Sequence, residues 1–279
     1  MKRTYLLWIA AVIITLATAY YQRVTGPTYP IKGKFQIEGK EYNYKFVRSH
    51  GGEGSAVVEL PAPENVSANL FWKRFKTEDA WTKIPMKFSA GKLTANLPHQ
   101  PPAGKLEYYI ELYRDNEKFI LPEKNSVVIR FKGTTPLFIL IPHVFAMFSA
   151  MLLSTRTGLE FFNPNRNLKK LTYWTLAVLF VGGFILGPIM QKYAFGEFWT
   201  GIPFGIDLTD NKTLFAFAGW LIALFMYDKS KNPKAWAAFG AVLLMIMYMI
   251  PHSALGSEID YNKLDNLRQT ENQIGNSER

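Results

Sequence analysis

Hydrophobic and polar positions alternate one by one through the first half of this chain, then give way to long apolar runs. The alternating stretches are Ile31–Ile37, Tyr42–Val47, Ser55–Leu60, Ala68–Phe75, Lys92–Leu97, Leu106–Tyr113 and Val127–Lys132. Successive side chains of a strand point to opposite faces, so a period of two predicts half-buried β-strands. Turn-forming residues separate them at Glu38-Gly39-Lys40, Pro61-Ala62-Pro63, Ala90-Gly91, Pro101-Pro102-Ala103-Gly104 and Asp115-Asn116. Short strands at this spacing predict an all-β sandwich within residues 22–134. The Arg48–Gly54 stretch, rich in glycine, reads as a mobile turn between strands.

The apolar runs predict membrane-spanning helices. The first, Tyr5–Ala19, follows Met1-Lys2-Arg3, and Ala17-Thr18-Ala19 has the small residues of a signal peptidase site. Residues 1–21 therefore read as an anchor helix or a cleaved signal peptide, with the anchor preferred. Four more runs, Pro136–Ser154, Leu171–Met190, Thr213–Tyr227 and Ala235–Pro251, make residues 135–252 a four-helix region, so four to five spans in all. Thr213–Tyr227 is the weakest, at about 22 Å of helix against a hydrocarbon core of roughly 30 Å. Residues 253–279 are polar and nearly free of apolar periodicity, which predicts a disordered tail.

Loop charges predict the orientation, because positively charged loops stay in the cytoplasm. The 155–170 loop carries Arg156, Arg166, Lys169 and Lys170 against Glu160; the 228–234 loop carries Lys229, Lys231 and Lys234 against Asp228. The 191–212 loop has Lys192 and Lys212 against Glu197, Asp207 and Asp210. The expected protein is multi-pass in a bacterial inner membrane. Its sandwich, its 191–212 loop and its C-terminal tail face the periplasm.

The chain has no cysteine, which excludes disulfides, thiol catalysis, covalent c-type haem and thiolate metal sites. A formal charge of +10 raises the question of nucleic acid. Residues 22–134 hold 18 Lys and Arg against 12 Asp and Glu, but scattered along alternating strands with no basic run, so nucleic acid is not the expected partner. No Ser-His-Asp order, P-loop, HExxH or dinucleotide fingerprint occurs. The middles of the predicted spans lack Asp, Glu, Lys and Arg, which argues against coupled transport.

Candidate chemistry concentrates on histidine and methionine. All four histidines, His50, His99, His143 and His252, fall on the exported side of this topology. His143 and His252 each follow a proline on separate helices near the outer leaflet, where two imidazoles can ligate a b-type haem. Each can equally cap a backbone carbonyl beside a proline-disturbed turn. His143, Met147 and Met151 share one helical face, as do Met245, Met249 and His252. Thioether and imidazole ligands suit Cu(I), so His143, Met147, Met249 and His252 form the candidate copper set, although methionine also fills packing gaps. Glu258, Asp207 and His252 are what an enzyme acting on lipid or quinone would have to use. The small residues Gly182-Gly183, Gly187 and Ala235…Ala238…Gly240 permit close helix approach.

Three local resemblances add to this. Asn96-Leu97-Pro98…Pro102-Ala103-Gly104-Lys105-Leu106-Glu107-Tyr108-Tyr109-Ile110 resembles the fibronectin type III and immunoglobulin-like family, in which a Pro/Gly turn feeds a Tyr-rich strand. That implies a fold and no ligand. Phe195-Gly196…Trp199…Asp207 is similar to the Trp-rich exported loop of cytochrome c assembly proteins, which would put Trp199 beside a haem. It departs from that pattern in having one Trp, an inserted Gly-Ile-Pro-Phe-Gly and too few spans, and an aromatic interfacial belt with Asp207, Thr209 or Asp210 capping the next helix explains the same residues. Ile250-Pro251-His252-Ser253…Gly256-Ser257-Glu258 and Asp207–Lys212 look like runs in uncharacterised bacterial multi-spanning membrane proteins with a periplasmic immunoglobulin-like domain. The resulting expectation is a non-enzymatic accessory or assembly factor that binds a membrane or periplasmic protein partner. The alternative is a haem b or copper protein for electron transfer or cofactor delivery.

Overall fold

The structure, a computed structural model, describes residues 2–115, 117–163, 167–251, 256 and 258–277. It divides into two compact units: residues 1–27 with 135–257, and residues 28–134 with 258–279.

The first unit is helical. Its elements are α1 (Lys2–Thr25), α2 (Leu137–Gly158) with a 3-10 turn at Leu159–Phe162, α3 (Leu168–Phe180), a π turn at Val181–Leu186, α4 (Gly187–Phe195), α5 (Leu208–Lys229) and α6 (Pro233–Met249). Among the described residues three helical stretches are long and apolar enough to cross a membrane: Lys2–Thr25, Leu137–Phe162 and Leu168–Phe195. Pro233–Met249 is apolar but shorter. The run read as Thr213–Tyr227 belongs to a helix of 22 residues, α5, which is about 33 Å long. It gains its first turn from Asp207, whose Oδ1 accepts the Thr209 N–H at 2.7 Å as an N-cap. Hydropathy missed that turn because Asp210, Asn211 and Lys212 are polar, yet all three are buried.

Small residues set the helix packing. α1 buries the stripe Ala11, Thr15 and Thr18, and it lies against α2 and α6. A core of Ala150, Met151, Leu176, Leu179, Ala216, Trp220, Ala223, Ala237, Ala241 and Leu244 joins α2, α3, α5 and α6. The glycines expected at close approaches serve contacts within this chain: a Cβ at Gly183 would lie 2.5 Å from the Thr213 methyl.

Among its described residues the second unit holds eleven strands: β1 (Ile31–Ile37), β2 (Lys40–Phe46), β3 (Ser49–Gly51), β4 (Ala56–Pro61), β5 (Ser67–Arg74), β6 (Thr82–Pro85), β7 (Lys87–Ser89), β8 (Lys92–Leu97), β9 (Lys105–Arg114), β10 (Glu117–Leu121) and β11 (Val127–Lys132). They form a β1-β2 hairpin, a sheet ordered β3-β11-β9-β5-β6 with β10 also on β9, and a sheet ordered β4-β8-β7. Inward residues of all three meet in one core, among them Phe35 and Phe46, Leu60 and Leu97, Leu70, Tyr108 and Ile110. The stretch read as a mobile turn supplies β3, parallel to β11 through Ser49, His50 and Gly51.

The tail is the larger departure. Where polarity predicted disorder, α7 (Tyr261–Ser277) is a helix belonging to this second unit. Its start is fixed by the Asp260 side chain accepting the Lys263 N–H at 3.1 Å and by Tyr261, which is 4% exposed.

Candidate functional site

In the helical unit the predicted ligands centre on His143. Pro142 removes one backbone donor from α2, and His143 follows it. The His143 Nδ1 lies 3.0 Å from the Gly182 carbonyl. A carbonyl only accepts, so Nδ1 carries the proton and Nε2 remains as the ring's acceptor. Gly182 sits in the π turn, and its carbonyl also takes the Gly187 N–H. The same turn presents Phe184, which stacks on Trp199 with centroids 5.6 Å apart and lies 4.9 Å from Phe217. The Trp199 indole donates to the Ile202 carbonyl at 3.0 Å, so this ring is tied to its own loop and to the π turn.

The methionines sort differently from their sequence pattern. Met147, Met151 and Met247 line a small cavity with Lys212 and Tyr248, whereas Met249 is 39% exposed. Two residues along a helix turn the side chain by about 200°, so Met247 and Met249 cannot share a face. The structure thus brings Met147 to Met247 and not to Met249. His252 lies outside the described residues. The cavity holds about 30 Å³, room for one water, against the roughly 300–1,000 Å³ of cofactor pockets. That cavity is too small for a haem, and His143 is not among its lining residues. Among the described residues no three His, Asp or Glu side chains gather as a metal cluster.

Each end of the bundle carries a buried polar layer. At one end the Asp210 Oδ2 accepts the Thr200 and Gly201 N–H groups at 2.6 and 3.1 Å and the Gln191 amide at 3.1 Å. Asn211 Oδ1 accepts the Ile202 N–H at 2.7 Å. Lys212 Nζ donates to the Ile250 carbonyl at 2.9 Å, and Gln22 donates to the Tyr248 carbonyl at 2.7 Å. These acids therefore hold the 196–207 loop against α5, and Asp207 caps the helix. At the other end Arg156 and Glu160, 2% and 0% exposed, pair at 2.5 Å. The Asn163 amide donates to both Glu160 oxygens, and Arg156 lies over the Trp8 ring at 5.3 Å. Trp220 donates to Ser154 at 3.1 Å nearby along α2.

In the β unit the chain returns to its own domain. Tyr261 Oη accepts the Lys105 N–H at 3.0 Å and donates to Gln100 at 2.9 Å. Ile259 N–H donates to the Ala103 carbonyl at 3.3 Å. Glu258 bridges Lys105, at 2.6 Å, and Lys76. Arg74 forks between Asp79 and Asp265, at 2.6 and 2.7 Å, with its guanidinium 5.1 Å from the Tyr261 ring. Partial burial pushes the Glu258 carboxyl up, but the hydrogen bonds from Lys105 and Lys76 outweigh it and leave it below its ordinary value. Arg74 holds Asp79 below its ordinary value in the same way.

A cleft of about 320 Å³ opens between β2 and β4, which lie side by side without pairing. Asn43, Lys45 and Val47 line one wall, Val57, Glu59 and Pro61 the other. Val57 is 51% exposed.

Sequence reasoning missed the Arg156–Glu160 pair, the docking of the tail and this cleft. The i, i+4 spacing of Arg156 and Glu160 was the available signal for the first, and it was counted instead as loop charge. Nothing local marks the other two. No protein-family model and no curated protein matches this chain.

Proposed function

We propose that this protein is a multi-pass accessory or assembly factor of a bacterial inner membrane, without enzymatic activity of its own. It presents an immunoglobulin-like β-sandwich to a protein partner on the periplasmic side. The strand order supports the sandwich: with β4 as the B strand, β4-β8-β7 reads B-E-D and β11-β9-β5-β6 reads G-F-C-C′. The packing of α1 against α2 and α6 supports a retained anchor.

Docking of the tail supports the topology. Residues 28–134 and 258–279 belong to one compact unit, so both lie on one side of the membrane. The chain between them crosses an even number of times. With α2 and the α3–α4 stretch crossing, α5 and α6 cross together, giving five spans with α1. The lysines of the 228–234 loop set that end in the cytoplasm.

The observation that carries the partner-binding role is the cleft between β2 and β4, which do not pair with each other, with exposed Val47 and Val57 on its two walls. A photo-crosslinking residue at position 57 is expected to trap one discrete membrane or periplasmic protein. Val57→Glu should lower recovery of that protein about tenfold. Equal recovery with Val57→Glu, or equal trapping from position 118 on β10, sinks this reading.

The second reading, a haem or copper protein using His143 and His252, keeps one supporting observation. Gly182 holds the His143 ring by Nδ1 and leaves Nε2, the arrangement that orients imidazole ligands. A Soret band lost in His143→Ala would establish it, and a featureless visible spectrum of the purified protein supports the accessory role.

A further inference from the structure

His50 and His99 are far apart in sequence, yet both point a ring nitrogen at the same atom. His50 Nε2 is 3.0 Å and His99 Nδ1 is 3.2 Å from the Gly54 carbonyl oxygen. Both rings stand edge-on to Phe131, with centroids 5.5 and 6.0 Å away, so one buried aromatic orients both. β3 fixes His50 beside Phe131 by its parallel register with β11. The loop between is Gly51-Gly52-Glu53-Gly54, and Gly52 has φ +98°, a conformation that lets the carbonyl of Gly54 turn back towards the strands.

We propose that His50, His99 and the Gly54 carbonyl form a binding site for a divalent transition-metal ion of the imidazole-preferring class, Cu²⁺ or Zn²⁺. Metal bonds of about 2.0–2.1 Å to imidazole nitrogen and 2.0–2.2 Å to oxygen separate neighbouring ligands by roughly 3.0–3.4 Å. The two nitrogen–oxygen distances here are already edges of such a polyhedron. Each of these nitrogens donates its N–H to the carbonyl; on metal binding the ring takes its other tautomer, with the proton on the far nitrogen, and a small rotation turns the freed lone pair to an ion bonded to that oxygen. A Cβ at Gly54 would meet nothing within 4 Å, so solvent can supply the remaining ligands. With two imidazoles and no thiolate, the site prefers Cu²⁺ to Zn²⁺ by the ordinary order of divalent affinities. This site is independent of the membrane-embedded His143 and of the partner cleft.

The test uses full-length protein in detergent, titrated calorimetrically with CuCl₂ and with ZnCl₂. Glutamine keeps an N–H donor for the Gly54 carbonyl but removes the imidazole, so His50→Gln and His99→Gln separate ligation from a mere loop staple. The wild type is expected to bind one ion per chain at micromolar concentration or tighter, with Cu²⁺ ahead of Zn²⁺. Each single variant should weaken binding at least about tenfold and the double variant about a hundredfold, with unfolding of the metal-free protein unchanged. Electron paramagnetic resonance of the Cu²⁺ form should show two nitrogens in the wild type and one in each single variant. Binding no tighter than millimolar, binding unaltered in the double variant, or one nitrogen or none in the wild-type spectrum overturns the proposal.

Discussion

Arg156 and Glu160 are the residues with most at stake. Both are fully buried, and within the described residues the Arg156 Nε and Nη1 have no hydrogen-bond partner beyond the Trp8 face. Removing one member of such a pair leaves an uncompensated charge. Glu160→Ala should therefore destabilise the purified protein by about 3–5 kcal/mol, read from unfolding in detergent. The double replacement Arg156→Met with Glu160→Leu should recover most of that loss. An equal loss in single and double variants would show that the pair stabilises the bundle in its own right. The Glu258 and Asp79 carboxyls set a second expectation, because both titrate below their ordinary values in the folded protein. A depressed carboxyl adds stability that is complete above its unfolded pKa, about 4, and is lost as the pH falls through the lower folded value. The C-terminal segment should stay docked at neutral pH and loosen below about pH 4, seen as faster pepsin cleavage within residues 258–267. Cleavage as fast in the docked Glu258→Gln variant as in wild type at every acid pH would remove Glu258 from the account.

The π turn at Val181–Leu186 shows how one element sets several contacts. An ordinary α turn would keep the carbonyl of Gly182 within the helix ladder; the wider turn lets it meet both Gly187 and His143. It also turns Gly183 onto α5, where only a hydrogen fits beside the Thr213 methyl. Gly183→Ala should cost about 1–3 kcal/mol by overpacking, measured as a lowered unfolding midpoint, and adding Thr213→Ser should restore part of it. If Gly183→Ala unfolds like wild type, α3–α4 and α5 are not in close contact here. α1 is held by two distant bonds, Trp8 with Arg156 and Gln22 with the Tyr248 carbonyl.

For the whole molecule, the absence of cysteine makes the topology directly testable. Single cysteines at Lys87, Glu197 and Thr270 should react with an impermeant maleimide in cells whose outer membrane alone is opened. Lys231→Cys should react only after the inner membrane is breached. Labelling of position 270 from the cytoplasmic side would break the even count of crossings and the five-span arrangement with it. The same experiment separates the two ends of the bundle, since Glu197 and Lys231 flank opposite ends of α5. Positive charge alone is a weaker guide than it looked, because Arg156 is neutralised by Glu160 inside the bundle.

Periodicity by itself placed the apolar helices and the longer strands: Ile31–Ile37, Lys92–Leu97 and Val127–Lys132 lie where alternation put them, because a half-buried strand must alternate, whereas the short strands β3, β6, β7 and β10 carried no such signal. The count of cysteines and the loop charges were equally plain in the chain. Tertiary structure alone decided which polar residues are inside. Asp210, Asn211 and Lys212 read as loop and are buried, because partners from residues 191–202 and 250 satisfy them. The tail read as disordered is helical because Tyr261, Glu258 and Asp265 find Lys105, Gln100 and Arg74 on strands and turns over 150 residues away. Met247 and not Met249 meets Met147, through a rotation about α6 that neighbours impose. A lone sequence carries each side chain's needs, but whether they are met by water or by a distant segment depends on which surfaces the fold brings together.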